Sequence, residues 1–430
     1  MACTGSGVQI PSAPQTNMNL KYIKEIFSQT KDLIGSQSGI AIISIIQVSF
    51  VVNQLGPEKY GAVVLLIAIP SLIFRATHAR NVDANLLILK KDNNLFFESL
   101  LFNFITGLVA GLICIFVFTN PLLINSSIGE YFGLEVLSLT LLFYIFSRII
   151  QTFSETTKSL LIFHNDMKRY SLLEIGSVFV RFTAIVILLL NDPTIENFLI
   201  AQSIYGFIFG LSGIYLVKTH LKNSKNKINI KNYIKKFLSP YKKIRYDQII
   251  RLIPQHFDVI LLAIIIDLEA VGIYQFAKRL VEPINFLIVT FNPWLQNKLK
   301  TEDKSFLLSK FFVQIILPIT SILIFIYLVF GKNLILLLGN ENFINSYEPM
   351  LILLIGFLTY FLTFWIRQYL LFNDLIEFHA YGRIIYSITF IVLALVLSNS
   401  FSATGIATSL AIAMVSQKLF ELIVYRKKIR

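Results

Sequence analysis

Residues 218–245 read KTHLKNSKNKINIKNYIKKFLSPYKKIR, the longest polar interruption in an otherwise apolar chain, and every charge in it is positive. On either side lies a block of hydrophobic runs, each close to the roughly 20 residues a helix needs to cross a bilayer. The two blocks carry similar punctuation. The chain therefore reads as an all-α polytopic membrane protein of two like halves, joined by a basic cytoplasmic linker.

Composition agrees. The 430 residues are 55% hydrophobic and only 15% charged, with a mean hydropathy of +0.69, whereas about a quarter of residues in soluble domains are charged. The net charge of +13 would suit nucleic acid, but its basic residues lie almost wholly between apolar runs. That placement is an orientation signal in a membrane protein, and no nucleic-acid partner is expected. Cys3 and Cys114 have no metal spacing, and one sits in a polar tail while the other sits in an apolar run, so neither a disulfide nor a metal site is expected. No cofactor is expected either. The stretch 1–16 is no signal peptide, since it lacks a basic start followed by an apolar region. Within it GVQIPSAP has the form of a translated T-arm and CCA end of a tRNA gene. Residues 1–17 are therefore expected not to be native, with synthesis starting at Met18; N-terminal sequencing checks this.

Apolar runs fall near 33–54, 61–79, 95–119, 132–152, 169–190 and 197–217, and after the basic stretch near 248–267, 271–296, 306–330, 346–372, 379–398 and 402–424. That is about twelve helical spans in two six-helix halves around a central cavity; continuous runs exclude barrel strands, which alternate at about ten residues each. The implied divisions are a cytoplasmic tail at 1–31, an N-terminal half at 32–217, the linker at 218–247, a C-terminal half at 248–424 and a tail at 425–430. Lys21, Lys24 and Lys31, Arg80, Lys90 and Lys91, Lys158, Lys168 and Arg169, the linker, Lys298, Lys300 and Lys304, and the C-terminal Arg426, Lys427, Lys428 and Arg430 all fall on one side. The opposite connections hold few basic residues, among them Lys59 and Lys332. Both termini are thus placed in the cytoplasm.

A weak repeat is locatable. QLGPEKYG at 54–61, between spans one and two, corresponds to DLEAVGIY at 267–274, between spans seven and eight: each is a short acidic turn with a Gly leading into the next helix. An even number of spans per half relates the halves by an axis along the membrane normal, with a cavity between them that can open to either side. Transporters use that arrangement. No Walker-type GxxxxGK[ST] is present, so ATP would not drive transport on this chain.

LGPEKYGAVVLLIAI at 55–69 and VGIYQFAKRL at 271–280 resemble the paired turns of polysaccharide (O-antigen and capsule) flippases of the multidrug/oligosaccharidyl-lipid/polysaccharide exporter superfamily. QHFDVILLAIIIDLEAVGIY at 255–274 and NPWLQNKL at 292–299 are similar as well. The resemblance covers nearly the whole chain in span count and in its two-half arrangement. It implies a multi-pass protein of the bacterial inner membrane that moves undecaprenyl-pyrophosphate-linked oligosaccharide for O-antigen, lipopolysaccharide, capsule or exopolysaccharide biosynthesis. The implied partners are that lipid-linked glycan, the bilayer, and the glycan polymerase and chain-length regulator of the pathway; the protein is expected to be monomeric.

Ionisable groups at membrane depth cost at least ~2.5–3.5 kcal/mol each on insertion scales, so they face a cavity or a partner. Arg181, the deepest cation, reads either as a cationic lumen site for pyrophosphate or acidic sugar or as a structural pair with Glu174, two turns away. Lys278 and Glu282 at i,i+4 suit a local pair, which leaves Arg279 as the freer cation, and Pro283 is expected to kink the helix. Asp258 is read as neutralising Arg181 or Arg279 in preference to taking up a proton or Na⁺, because cations outnumber acids at depth. Arg148, Arg251, Arg367 and Arg383 lie nearer cytoplasmic ends and can form a ring that admits pyrophosphate; Arg367 and Arg383 read better as snorkelling anchors. His256 reads as a satisfied core histidine. Gln47, the counterpart of Asp258 in the repeat, and Asn53 are polar positions in span one, while Tyr360, Trp365 and Tyr369 offer stacking faces for sugar.

These features point to a flippase working by alternating access, and not to an enzyme. A drug/cation antiporter of the same superfamily would want unpaired acids in its cavity, whereas the surplus here is cationic. A membrane glycan polymerase or acyltransferase would need a large outside loop, and none of the outside connections is long enough.

Overall fold

The computed structural model describes residues 20–78, 96–120, 134–164, 166–221, 234, 256–288, 291, 316–373 and 375–429. Residues 1–17, most of the basic linker, Arg80, Lys90, Lys91, Arg251 and the 292–299 motif lie outside the described residues. Within them the chain is helical and has no strand. In chain order the helices are α1 (Leu20–His78), α2 (Phe96–Phe118), α3 (Leu134–Gln151), α4 (Phe153–Phe163), α5 (Met167–Asn191) and α6 (Ile195–Leu221). They continue with α7 (His256–Ile265), α8 (Leu268–Val281), α9 (Leu317–Gly339), α10 (Tyr347–Phe372) and α11 (Ile376–Ile429).

Seven described helical stretches are long and apolar enough to cross a membrane. Two are too long for one crossing: Gly39–Thr77 has 39 residues and Glu377–Lys427 has 51, lengths that at 1.5 Å per residue far exceed a hydrocarbon core of about 30 Å. Each is broken near its middle. In α1 the break is at Gly56, whose φ of 74° and ψ of 174° is backbone that only glycine adopts readily, and Pro57 then starts the second arm where no helical N–H is needed. In α11 it is at Ser402, with φ 48°. That break folds α11 into a hairpin, because His379 on the first arm meets Glu421 on the second. Four of the expected spans thus come as two broken helices.

Elsewhere the boundaries shift. The run expected at 271–296 is α8 followed by a turn at 282–283, so Pro283 does interrupt the helix. The run expected at 306–330 is helical over Leu317–Gly339, which puts Lys332 inside a helix, not in a connection. α8 begins with an Asp267 side chain that accepts from the Ala270 N–H at 2.7 Å, a capping bond that supplies what Gly56–Pro57 supplies in α1.

The halves meet most closely at these two turns. A Cβ on Gly61 would lie 1.8 Å from the Leu268 carbonyl oxygen, and a Cβ on Gly272 would lie 2.0 Å from the Pro57 carbonyl oxygen. Gly61 and Gly272, like Pro57 and Leu268, are 211 residues apart, the interval between Gln47 and Asp258. The contact is therefore reciprocal, and it sets the repeat register two residues away from the pairing of 54–61 with 267–274. The same end is sealed by Phe343, fully buried between the rings of Tyr60 and Phe276, with centroids 6.3 and 4.8 Å away. Asn53 adds hydrogen bonds to the Leu338 carbonyl at 3.0 Å and from the Asn340 amide at 2.9 Å.

Candidate functional site

Below that seal the halves part around two adjoining cavities that share lining residues. One, of about 230 Å³, is lined by Gln47, Tyr60 and Arg181 from the N-terminal side and by Phe276, Arg279 and Glu282 from the C-terminal side. The second, of about 570 Å³, is lined by Arg75 together with His256, Gln275, Lys278, Tyr360 and Arg383. Val64, Ile67, Arg279 and Glu282 line both.

Arg181 projects from α5 into the smaller cavity. Its Nε donates to the Gln47 Oε1 at 2.9 Å and its guanidinium lies over the Tyr205 ring at 5.6 Å. Among the described residues no carboxylate pairs with it. The alternative reading, a pair with Glu174, does not form: Glu174 contacts Lys158 of α4 at 2.7 Å. Seven residues along a helix is a rise of about 10.5 Å, beyond the reach of the two side chains.

The expected pairs of α8 are exchanged. Lys278 bonds to Asp258 of α7, not to Glu282, and Asp258 also accepts from the Tyr274 hydroxyl at 2.7 Å and from the Val259 N–H at 2.8 Å. Asp258 is fully buried and neutralises neither Arg181 nor Arg279. Glu282 instead accepts from Arg279 at 2.6 Å, with the Tyr60 hydroxyl against the same guanidinium. Arg279 is thus not the freer cation. The reason is energetic. An i,i+4 pair on a helix stabilises by about 0.2–0.5 kcal/mol, whereas an uncompensated buried charge costs several kcal/mol, so Lys278 turns to Asp258.

The outer candidates scatter. Arg148 lines neither cavity; it donates to Gln151 at 2.5 Å, which reaches the Tyr205 hydroxyl at 3.1 Å, so it backs the Arg181 site from behind. Arg383 is no snorkelling anchor, being buried and bonded to His379 at 2.9 Å. Tyr360 faces the larger cavity, but Trp365 and Tyr369 pack edge-on against Tyr425 at 5.0 and 4.7 Å and line neither cavity. His256 lines the larger cavity with its Nε2 buried and without a hydrogen-bond partner, which is not a satisfied core histidine. No group of His, Cys, Asp and Glu among the described residues is arranged to hold a metal.

Residues 30–294, more than half of the chain, match the family model described as polysaccharide biosynthesis protein. The chain belongs to that family. Its fold is that of the multidrug/oligosaccharidyl-lipid/polysaccharide exporter superfamily. The lipid II flippase MurJ in an inward closed conformation superposes with a TM-score of 0.63 at 15% identity, over 91% of this chain and 87% of that one. The MATE multidrug transporter DinF-BH gives 0.65 at 15% identity, over 96% and 98%. An inward-facing multidrug resistance MATE family transporter gives 0.59 at 12%, over 92% and 94%. No curated protein sequence matches.

In this member of the family one polar group is missing from the candidates that the sequence suggests. His379, Gln417, Lys418 and Glu421 are all buried and bonded to one another within α11. The available signal was QKLFE at 417–421, three polar residues inside an otherwise apolar run.

Proposed function

We propose that this protein is a flippase that carries a polyprenyl-pyrophosphate-linked oligosaccharide across the bacterial cytoplasmic membrane by alternating access between two six-helix halves, without making or breaking a bond. The observation that carries the reading is Arg181: a cation between the halves, facing the cavity, held by a neutral amide where a structural pair would have a carboxylate. Around it, among the described residues, five cations (Arg75, Arg181, Lys278, Arg279, Arg383) line the two cavities against one acid, Glu282. That surplus suits an anionic head group, and arginine matches phosphate oxygens bidentately. The polyprenyl tail stays in lipid between helices. With both termini in the cytoplasm, the sealed end at Gly61 and Gly272 is the outer one and the cavities belong to an inward-facing state. The glycan of the pathway is O-antigen, capsule or a related exopolysaccharide, and its polymerase and chain-length regulator act downstream.

The likeness to MATE transporters supports a second reading, a multidrug antiporter, but a cationic drug would meet a cationic lining. The test is surface-glycan display in a deletion strain complemented with wild type, Arg181→Ala or Gln47→Glu, with protein level checked by blot. Gln47→Glu places a carboxylate on Arg181 in the space the amide already occupies, so the protein folds while the uncompensated positive charge is cancelled. Both variants are expected to leave the lipid-linked glycan stranded inside at normal abundance. Normal display in a deletion strain that has lost drug resistance sinks the flippase in favour of the antiporter.

A further inference from the structure

The polar group inside α11 has a directional chemistry. His379 Nδ1 lies 2.7 Å from Glu421 Oε1, and its Nε2 lies 2.9 Å from the Arg383 guanidinium. Guanidinium has donors and no acceptor, so Nε2 contributes its lone pair and the imidazole proton sits on Nδ1, donating to Glu421. Gln417 donates to Glu421 Oε1 at 2.7 Å and Lys418 to Oε2 at 2.8 Å. Tyr360 of α10 donates to the side-chain Oε1 of Gln417 at 3.0 Å and lies under the Lys418 ammonium at 4.1 Å. The carboxylate is thus fully engaged, and His379, Gln417, Lys418 and Glu421 are each at most 3% exposed. The basic nitrogen of His379 is occupied by an arginine that itself lines the 570 Å³ cavity.

We propose that His379 is a proton-binding site whose occupation releases Arg383 into the cavity, so that a proton and an anionic ligand bind cooperatively. A proton arriving at Nε2 takes the lone pair that Arg383 holds, and imidazolium and guanidinium then repel at contact distance. Among the described residues the charges facing His379 are Glu421 and Lys418 from the second arm of α11, with the Tyr360 hydroxyl beyond them on α10 and Arg383 on its own arm. Glu421 stays as counter-ion to the imidazolium, so Arg383 is the group pushed away from His379. Of the cations lining the cavity it would enter, Lys278 and Arg279 are offset by Asp258 and Glu282, so Arg75 is the charge that opposes the further advance of Arg383, unless an anion is bound there. Anion and proton therefore favour each other, and the linkage is reciprocal. This rests on the reading of the cavity as an anion site.

The test uses the full chain in nanodiscs with ¹⁵N-labelled histidine, the His379 signals among the five histidines being assigned with His379→Gln. The wild type is expected to show the Nδ1–H tautomer of neutral His379. Adding inorganic pyrophosphate raises the protonated fraction of His379 at pH 6, and acidification from pH 8 to 6 tightens pyrophosphate binding about tenfold more in wild type than in Arg383→Gln, within the 5- to 150-fold range of such couplings. In Arg383→Gln, His379 protonates more readily and no longer responds to pyrophosphate. An Nε2–H tautomer, or equal protonation in wild type and Arg383→Gln, overturns the arginine lock. Pyrophosphate that binds without changing the protonated fraction overturns the linkage and leaves the flippase standing. No pyrophosphate binding by wild type at any pH removes the anion site and the linkage with it.

Discussion

Adding one methyl group at Gly61 or Gly272 should hold the transporter open on the sealed side. In the closed arrangement an alanine Cβ at these positions would sit 1.8 and 2.0 Å from the carbonyl oxygens of Leu268 and Pro57, where ordinary contact begins at 3.4 Å. Both obstacles are backbone, so no side chain can rotate away, and the turns must part by about 1.5 Å. Overpacking of this kind costs typically 1–3 kcal/mol, and the cost falls only on the closed state. Gly61→Ala or Gly272→Ala should therefore shift the open-to-closed ratio roughly 5- to 150-fold. The double variant should add little to the larger single effect, because one separation relieves both clashes and neighbouring sites are not additive. Spin labels at Lys59→Cys and Glu341→Cys, both exposed and on opposite halves, in a background lacking Cys3 and Cys114, report the distance across the seal. A closed-state distance distribution in Gly61→Ala identical to wild type refutes the argument, as does a double variant whose shift is the full product of the singles.

Three further perturbations separate structural from working charges. Asp258→Asn leaves the part-buried Lys278 without its counter-ion and should destabilise by about 3–5 kcal/mol, read as thermal unfolding in detergent; Asp258→Asn with Lys278→Gln should restore stability, and display that stays lost in the stable double variant would make the Asp258–Lys278 pair a working part of transport. Asn53→Ala removes two hydrogen bonds across the seal, each worth about 1 kcal/mol, and should shift the same spin-label distances in the same direction as Gly61→Ala but by less. Trp365→Ala and Tyr369→Ala should lower stability through lost packing on Tyr425 without changing which glycan is displayed, measured by lipid-linked glycan analysis at matched protein level.

Run length and punctuation made most of the helices legible, because a bilayer demands a minimum apolar length and because Gly56–Pro57 and Asp267 are local devices that act within a few residues. The site was legible residue by residue but not pair by pair. Arg181, Arg279, Lys278 and Asp258 were all recognised as charges at depth, yet neither the expected Lys278–Glu282 pair nor the expected neutralisation of Arg181 or Arg279 by Asp258 forms. Helical spacing ranks local neighbours such as Lys278 and Glu282, while the desolvation of Asp258 outweighs any local pairing and depends on how α7 packs against α8. His379 and Glu421 are 42 residues apart, so no periodicity joins them. Only the hairpin at Ser402 does.

The two halves have kept their hinge and diverged in their lining. Under the interval of 211 residues the Gly61–Leu268 and Gly272–Pro57 contacts map onto each other, so both copies of the turn obey one steric requirement. The positions facing the cavities obey no such symmetry: Gln47 corresponds to Asp258, Ile67 to Lys278 and Ala68 to Arg279. On the C-terminal side Lys278 and Arg279 are offset by carboxylates within hydrogen-bond reach, Asp258 and Glu282. On the N-terminal side the amide of Gln47 takes the place of the carboxylate, and Arg181 keeps its charge for whatever enters. A symmetric pair of compensated charges would stabilise the bundle and attract nothing. The asymmetry leaves Arg181 without a carboxylate, among the described residues, at the junction of the halves. In the proposed alternating-access cycle the paired turns gate and Arg181 recognises, so gating and recognition rest on different residues and can be broken separately.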